Sequence, residues 1–183
     1  IRRCLETGFA PKKIVYAGVG KADWEINLGL DKRIFCFNVE SIAELEIINE
    51  LAGKKGKIAD ICFRINPDVG AHTNAKITTG LAENKFGIDM HYMEAAIEEA
   101  SKMEHVRFIG LHFHIGSQIL DMSDFVALCN RINEIQDQLE RHHIHIENIN
   151  VGGGLGIDYV HPNRVPIPDF KAYFDTYARH LKL

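Results

Sequence analysis

Short apolar runs and longer helix-patterned segments alternate along the whole chain, and this alternation restricts the fold more than any other feature. The runs are rich in β-branched or aromatic residues and fall near residues 14–18, 34–39, 60–66, 107–115 and 147–151. Between them, Ser41 and Glu44 read as a capping box opening a helix that carries Ile42, Leu45, Ile48 and Leu51. Met93, Ala96, Ile97, Ala100 and Met103 follow helical spacing, as do Phe125, Leu128, Cys129, Ile132, Ile135 and Leu139. A fourth stripe, Phe170, Tyr173, Phe174, Tyr177 and Leu181, starts at Pro168-Asp169, and a weaker helix starts near Asp23. Strands and helices taking turns at intervals of roughly 20–45 residues predict a parallel sheet with helical crossovers.

Side chains on a strand point alternately to opposite faces. One predicted face is apolar: Phe35, Phe37 and Val39; Ile61, Phe63 and Ile65; Leu111, Phe113 and Ile115; Ile149 and Val151. The other carries Cys36 and Asn38; Cys62, Arg64 and Asn66; Gly110, His112 and His114; Asn148 and Asn150. A parallel sheet covered by helices on both faces reads as continuous apolar runs. One apolar and one polar face instead suits a β/α barrel, whose active site lies at the C-terminal ends of the strands. A doubly wound open sheet is the alternative, because five strands alone do not prove closure.

Several function classes are excluded at this stage. No apolar run approaches the ~20 residues needed to span a bilayer. The formal net charge of -4 gives no electrostatic case for nucleic acid or an anionic membrane surface. Cys4, Cys36, Cys62 and Cys129 are scattered without a C-x-x-C pair, which reads as reduced thiols in a cytoplasmic protein.

Four segments could carry chemistry. In Gly110-Leu111-His112-Phe113-His114-Ile115-Gly116-Ser117-Gln118, a strand delivers two histidines to one face and stops at a Gly-Ser turn. A flat imidazole there can lie against a planar ligand, and Ser117 can hold an anion; the bland reading is two satisfied interior histidines. A His-x-His pair can also present metal ligands, but no carboxylate-rich loop accompanies it. Val151-Gly152-Gly153-Gly154-Leu155-Gly156 follows the last strand, where glycines let the backbone approach an anion. The long stretch 67–88 exceeds an ordinary strand-to-helix loop of ~2–6 residues. It holds His72, Thr79, Gly80 and Lys85 and follows Arg64, which would orient His114 or balance an anion. Finally, Gly18-Val19-Gly20-Lys21 lacks the P-loop spacing, so it reads as a turn with a loop lysine rather than a phosphate or nucleophile site.

Together these segments resemble the diaminopimelate decarboxylases. This family shares its fold with alanine racemase and the eukaryotic-type ornithine decarboxylases. The resemblance covers essentially the whole chain. It rests on Tyr16 to Lys21, Phe37 to Ser41 with Glu44-Leu45, Arg64 to Pro67, His72, Thr79-Gly80, Lys85 to Ile88, Gly110 to Gln118 and Gly152 to Gly156. It implies a partial (β/α)8 TIM barrel of the alanine racemase-like type, with about five β/α units and pyridoxal 5'-phosphate as cofactor. It also implies roles: His114 stacked on the cofactor ring, Ser117, Gly152, Gly153 and Gly154 around its phosphate, and Arg64 near the ring. The activity implied is decarboxylation of meso-2,6-diaminopimelate to L-lysine, by a homodimer that binds neither nucleic acid nor membrane. Another decarboxylase of this fold, of the ornithine, arginine or carboxynorspermidine type, is the alternative, as is a non-catalytic cofactor-binding relative.

The sequence also departs from the family pattern. Lys21-Ala22-Asp23 is not the setting of the family's Schiff-base lysine, so no catalytic role passes to Lys21. The E-x-G-R segment and the cysteine loop of the family are absent. Residues 1–183 are therefore expected to be an incomplete pyridoxal-phosphate-binding barrel without its C-terminal β-domain, holding neither catalytic nor metal-binding residues and inactive alone.

Overall fold

The computed structural model describes residues 1–69, 86–161 and 169–182. His72, Thr79, Gly80, Lys85 and Pro168 lie outside the described residues. The chain forms two compact units: Ile1–Ile65 with Phe86–His112 and Ile146–Asn150, and Asn66–Lys85 with Phe113–His145 and Val151–Leu183.

The first unit holds the sheet. Its strands are β1 (Val15–Tyr16), β2 (Cys36–Val39), β3 (Ala59–Asn66), β4 (Ile88–Asp89), β5 (Val106–His112) and β6 (Asn148–Asn150). The order is β1-β2-β3-β5-β6, every pairing along it parallel, with the two-residue β4 beside β3. Each strand of this path lies next to the one before it. A doubly wound sheet reverses direction at a switch point; this path does not, and follows the order of a β/α barrel segment.

The pairing bears out the two-faced reading. Val39, Phe63, Leu111 and Ile149 form one cross-strand row; Arg64, His112 and Asn150 form another on the opposite face. Helices α2 (Asp23–Lys32), α3 (Ile42–Lys54) and α4 (Met93–Ser101) belong to the same unit, as does the short α1 (Arg2–Glu6), which the sequence pattern did not announce. They bury Ile26 and Leu30, Leu45 and Ile48, and Met93, Ala96, Ile97 and Ala100. Each fully buried large side chain contributes roughly 1.5–3 kcal/mol. α2 sits so close to the sheet that a Cβ on Gly29 would come within 2.6 Å of the Phe37 ring. Ile42, expected on the buried stripe of α3, is 36% exposed, because the cap at Ser41 starts the helix at the surface.

Alternation fails at two places. Phe35 was expected beside Phe37 but packs against Cys36, Cys62 and Ile109. And β5 carries a bulge: Ile61 pairs with Phe108 but Cys62 pairs with Gly110, leaving Ile109 as an extra residue. The bulge resets the parity. Phe108 stacks on Phe63, 5.6 Å between centroids, while His112, four residues on, shares the opposite face with Arg64. Bulges commonly re-aim a side chain in this way. Unbulged, β5 would send Phe108 and His112 to the same side.

The second unit is built on α5 (Met122–Arg141) and α6 (Phe170–His180). Asp121 caps α5 by accepting from Ser123 N–H, and Asp169 caps α6 by accepting from Ala172 N–H. The stripe Phe125, Leu128, Cys129, Ile132, Ile135 and Leu139 is buried as its spacing predicts. α6 meets it through Tyr173, edge-on to Phe125 at 5.0 Å, and through Tyr177. Phe170 and Phe174 belong to the predicted stripe but are 62% and 67% exposed, so the buried face of α6 is narrower than its apolar spacing. No helix among the described residues is long and apolar enough to cross a membrane.

Candidate functional site

In the first unit, four charged side chains gather where β1, β2 and β3 end. Lys21 is the centre. Its side chain is 0% exposed, and Nζ donates to Gly18 O at 2.7 Å, Asn38 O at 2.6 Å and Glu44 Oε1 at 2.5 Å. All three of its protons are thereby satisfied. Glu44 in turn accepts the Glu40 N–H through Oε2 at 2.9 Å. Half of the predicted capping box therefore forms: Ser41 Oγ accepts from Glu44 N–H, but the Glu44 carboxylate serves Lys21 and Glu40. Burial raises the Glu44 pKa, and the neighbouring Lys21 only partly offsets it.

Arg64 lies on β3 with its side chain 12% exposed, and Nη1 donates to both Glu40 oxygens at 3.1 and 3.0 Å. The Glu40 side chain is 4% exposed. The anion that Arg64 balances is thus Glu40 of this same chain. The guanidinium also lies over Phe86, 5.4 Å from the ring centroid. Sequence reasoning missed Glu40, although one more step of the parity Cys36, Asn38, Glu40 puts it on the polar face. Lys21 stands, as read, in a turn just before a helix; what the sequence reading leaves out is that its side chain is buried there.

Tyr16 borders the cluster, with the Lys21 ammonium 5.7 Å from its ring centroid. Burial, together with a hydrogen bond to Glu25 and the charges of Glu25 and Glu44, pushes its phenol up to about 12 from 10.0. A raised folded pKa favours folding fully below pH 10.0, and that contribution is lost as the pH rises through about 12. The phenolate absorbance of the parent minus that of a Tyr16→Phe variant should therefore show a midpoint well above 10.0; a midpoint at 10.0 contradicts the placement.

In the second unit, two loops run side by side. One is Phe113 to Leu120, the other Val151 to Ile157. A parallel bridge joins Ile119 to Leu155, with Ile119 N–H on Gly154 O at 3.0 Å and Gly156 N–H on Ile119 O at 2.8 Å. Gly152, Gly153 and Gly154 have φ of +80°, +91° and +94°, conformations that favour glycine. A Cβ on Gly152 would lie 2.0 Å from Phe113 O and 3.0 Å from the His114 Cα and Cβ; one on Gly154 would lie 2.3 Å from Gly116 O. At Gly153 a Cβ would meet nothing within 4 Å. The backbone is therefore pressed against the first loop at both ends of the triplet and open in the middle. Consecutive glycines in this arrangement suit an oxyanion. His114 is half-buried and Ser117 exposed on the facing loop, next to Gly116. The structure thus brings His114, Ser117 and the three glycines together in one unit. The residues present fit a phosphate group.

Among the described residues, no group of three or more His, Cys, Asp or Glu side chains is placed to hold a metal ion. Cys36 Sγ and Cys62 Sγ are 3.8 Å apart, and both thiols are free and buried.

Comparison with known proteins agrees with these features. The family model described as "Pyridoxal-dependent decarboxylase, pyridoxal binding domain" matches residues 1–182. The diaminopimelate decarboxylase of Bacteroides thetaiotaomicron is 70% identical over 183 residues, which is all of this chain and 47% of that protein. That of Aquifex aeolicus is 42% identical over 163 residues, 89% of this chain and 39% of the relative. Among solved structures, diaminopimelate decarboxylase from Helicobacter pylori complexed with L-lysine superposes with a TM-score of 0.84 at 34% identity, covering 99% of this chain and 46% of that one. Its barrel has the parallel β/α arrangement found here, which establishes the fold as part of a TIM barrel. The chain spans about half the length of the curated relatives it matches. With a family match over residues 1–182 and a glycine cradle suited to phosphate, the chain belongs to the pyridoxal-dependent decarboxylases and matches their pyridoxal-binding domain.

Proposed function

We propose that the polypeptide containing these residues is a pyridoxal-phosphate-dependent carboxy-lyase that converts meso-2,6-diaminopimelate to L-lysine and carbon dioxide. The observation that carries this reading is the 70% identity, over all 183 residues, to a protein named diaminopimelate decarboxylase. We further propose that it works in the cytoplasm as a homodimer, and that residues 1–183 by themselves are inactive.

When bound, the cofactor supplies an electron sink for the charge left by departing carbon dioxide. The protein's own groups bind and orient. The Gly152, Gly153 and Gly154 backbone and the Ser117 hydroxyl would hold the phosphate. The His114 imidazole would lie against the ring face, fixing its tilt. Arg64 is held by Glu40 within the first unit. No residue of this chain is assigned proton transfer or covalent attachment.

The test uses the intact polypeptide with pyridoxal 5'-phosphate and carboxyl-labelled meso-diaminopimelate. Release of labelled carbon dioxide together with L-lysine is the expected result. Turnover of ornithine or arginine in its place would redirect the assignment within the fold, and absence of any turnover with bound cofactor would favour a non-catalytic relative.

A further inference from the structure

Gln118 sits between the two loops of the cradle in a conformation that its side chain does not favour. Its φ is +62°, in the region that elsewhere in this loop pair is occupied by glycine. Conformation alone would be better served by glycine here. The side chain explains the exception. Gln118 Nε2 donates to Ile157 O at 2.9 Å, and Gln118 Oε1 accepts from Ile157 N–H at 2.8 Å. The amide reproduces what an opposing peptide group would do, extending by one step the backbone pairing of Ile119 with Gly154 and Gly156. It ties the segment just after Ser117 to the segment just after the triple glycine.

We propose that Gln118 is a positioning residue for phosphate: its two-way amide bond to Ile157 fixes the separation of Ser117 from Gly152, Gly153 and Gly154. It touches neither cofactor nor substrate and acts only through the two loops. The inference rests on the reading of this cradle as the phosphate site. It assigns to Gln118 a selective effect on the phosphate end of the ligand.

Two variants of the intact polypeptide test it. Gln118→Gly keeps the left-handed backbone and removes the amide. Gln118→Met keeps length and backbone strain but can neither donate nor accept comparably. Equilibrium binding is measured for pyridoxal 5'-phosphate and for pyridoxal, which lacks the phosphate, alongside thermal unfolding of the cofactor-free protein and the 31P resonance of the bound phosphate. Both variants should bind pyridoxal 5'-phosphate roughly tenfold more weakly, as expected for losing two hydrogen bonds. They should bind pyridoxal within about twofold of the parent, and shift the 31P resonance. A merely structural role would weaken both ligands alike and lower the unfolding temperature in step, which overturns the proposal. Unchanged pyridoxal 5'-phosphate affinity in both variants overturns it too, with the cradle left standing. If the parent itself fails to distinguish the two ligands, the phosphate cradle falls and the part assigned to Gln118 falls with it.

Discussion

Gly152→Ala is expected to reduce the affinity of the intact polypeptide for pyridoxal 5'-phosphate by roughly a hundredfold or more, with a smaller loss at Gly153→Ala. Two costs add at Gly152. Its φ of +80° is one that an L side chain adopts only with strain, typically about 1–3 kcal/mol. And the new Cβ would stand 2.0 Å from the Phe113 carbonyl oxygen, a backbone atom that cannot rotate away. The loop must move off Phe113 and His114, and the proposed phosphate cradle opens. At Gly153 only the first cost applies, because nothing lies within 4 Å of the Cβ position. The conformational term alone corresponds to roughly tenfold in affinity. Gly154 ranks with Gly152, since its Cβ would come within 2.3 Å of Gly116 O. The measurement is cofactor titration of the three variants by absorbance. Equal losses at Gly152 and Gly153, or no loss at either, contradict this account of the loop pair.

The same loop pair shows how far a one-dimensional pattern reaches. The triple glycine was legible because left-handed backbone leaves a compositional trace, and Ser117 because it sits in the Gly116-Ser117 turn of the loop that follows β5. The brace between them was not, since a glutamine bonding to a residue 39 positions away leaves no local sign. In the sheet, period-two alternation was enough to separate Val39, Phe63, Leu111 and Ile149 from Arg64, His112 and Asn150, because burying one face fixes register strongly. What the alternation hides is the bulge at Ile109. Counting backward from His112 assigns Phe108 to the wrong face, and only the pairing with Ile61 corrects it. Lys21 shows a limit of another kind. A lysine after a glycine turn is ordinarily solvated. Its burial depends on Asn38 and Glu44, 17 and 23 positions onward, and so on tertiary structure that no local window contains.

That burial makes Lys21→Met the substitution with the largest expected effect on stability. The ammonium is 0% exposed and its partner Glu44 11% exposed, so solvent screening does little for either. Removing the cation leaves Gly18 O and Asn38 O without their donor and the Glu44 carboxylate without its counter-ion. Breaking a buried pair from one side typically costs about 3–5 kcal/mol, and chemical denaturation of the intact polypeptide should register a loss of that order. The loss has a defined pH dependence. Burial already raises the Glu44 pKa with Lys21 in place. Without Lys21 it rises further, so the folded variant binds a proton more readily than the unfolded chain and gains stability as the pH falls. The gap between parent and variant should therefore be widest near neutrality and narrow as the solution is acidified. Adding Glu44→Gln should recover part of the loss at neutral pH, because the double variant buries no unpaired charge. Such recovery would mean that the pair is retained less for net stability than to hold Glu40, through its N–H on Glu44, in place for Arg64. A double variant as unstable as Lys21→Met would instead put the whole cost on the two abandoned carbonyls.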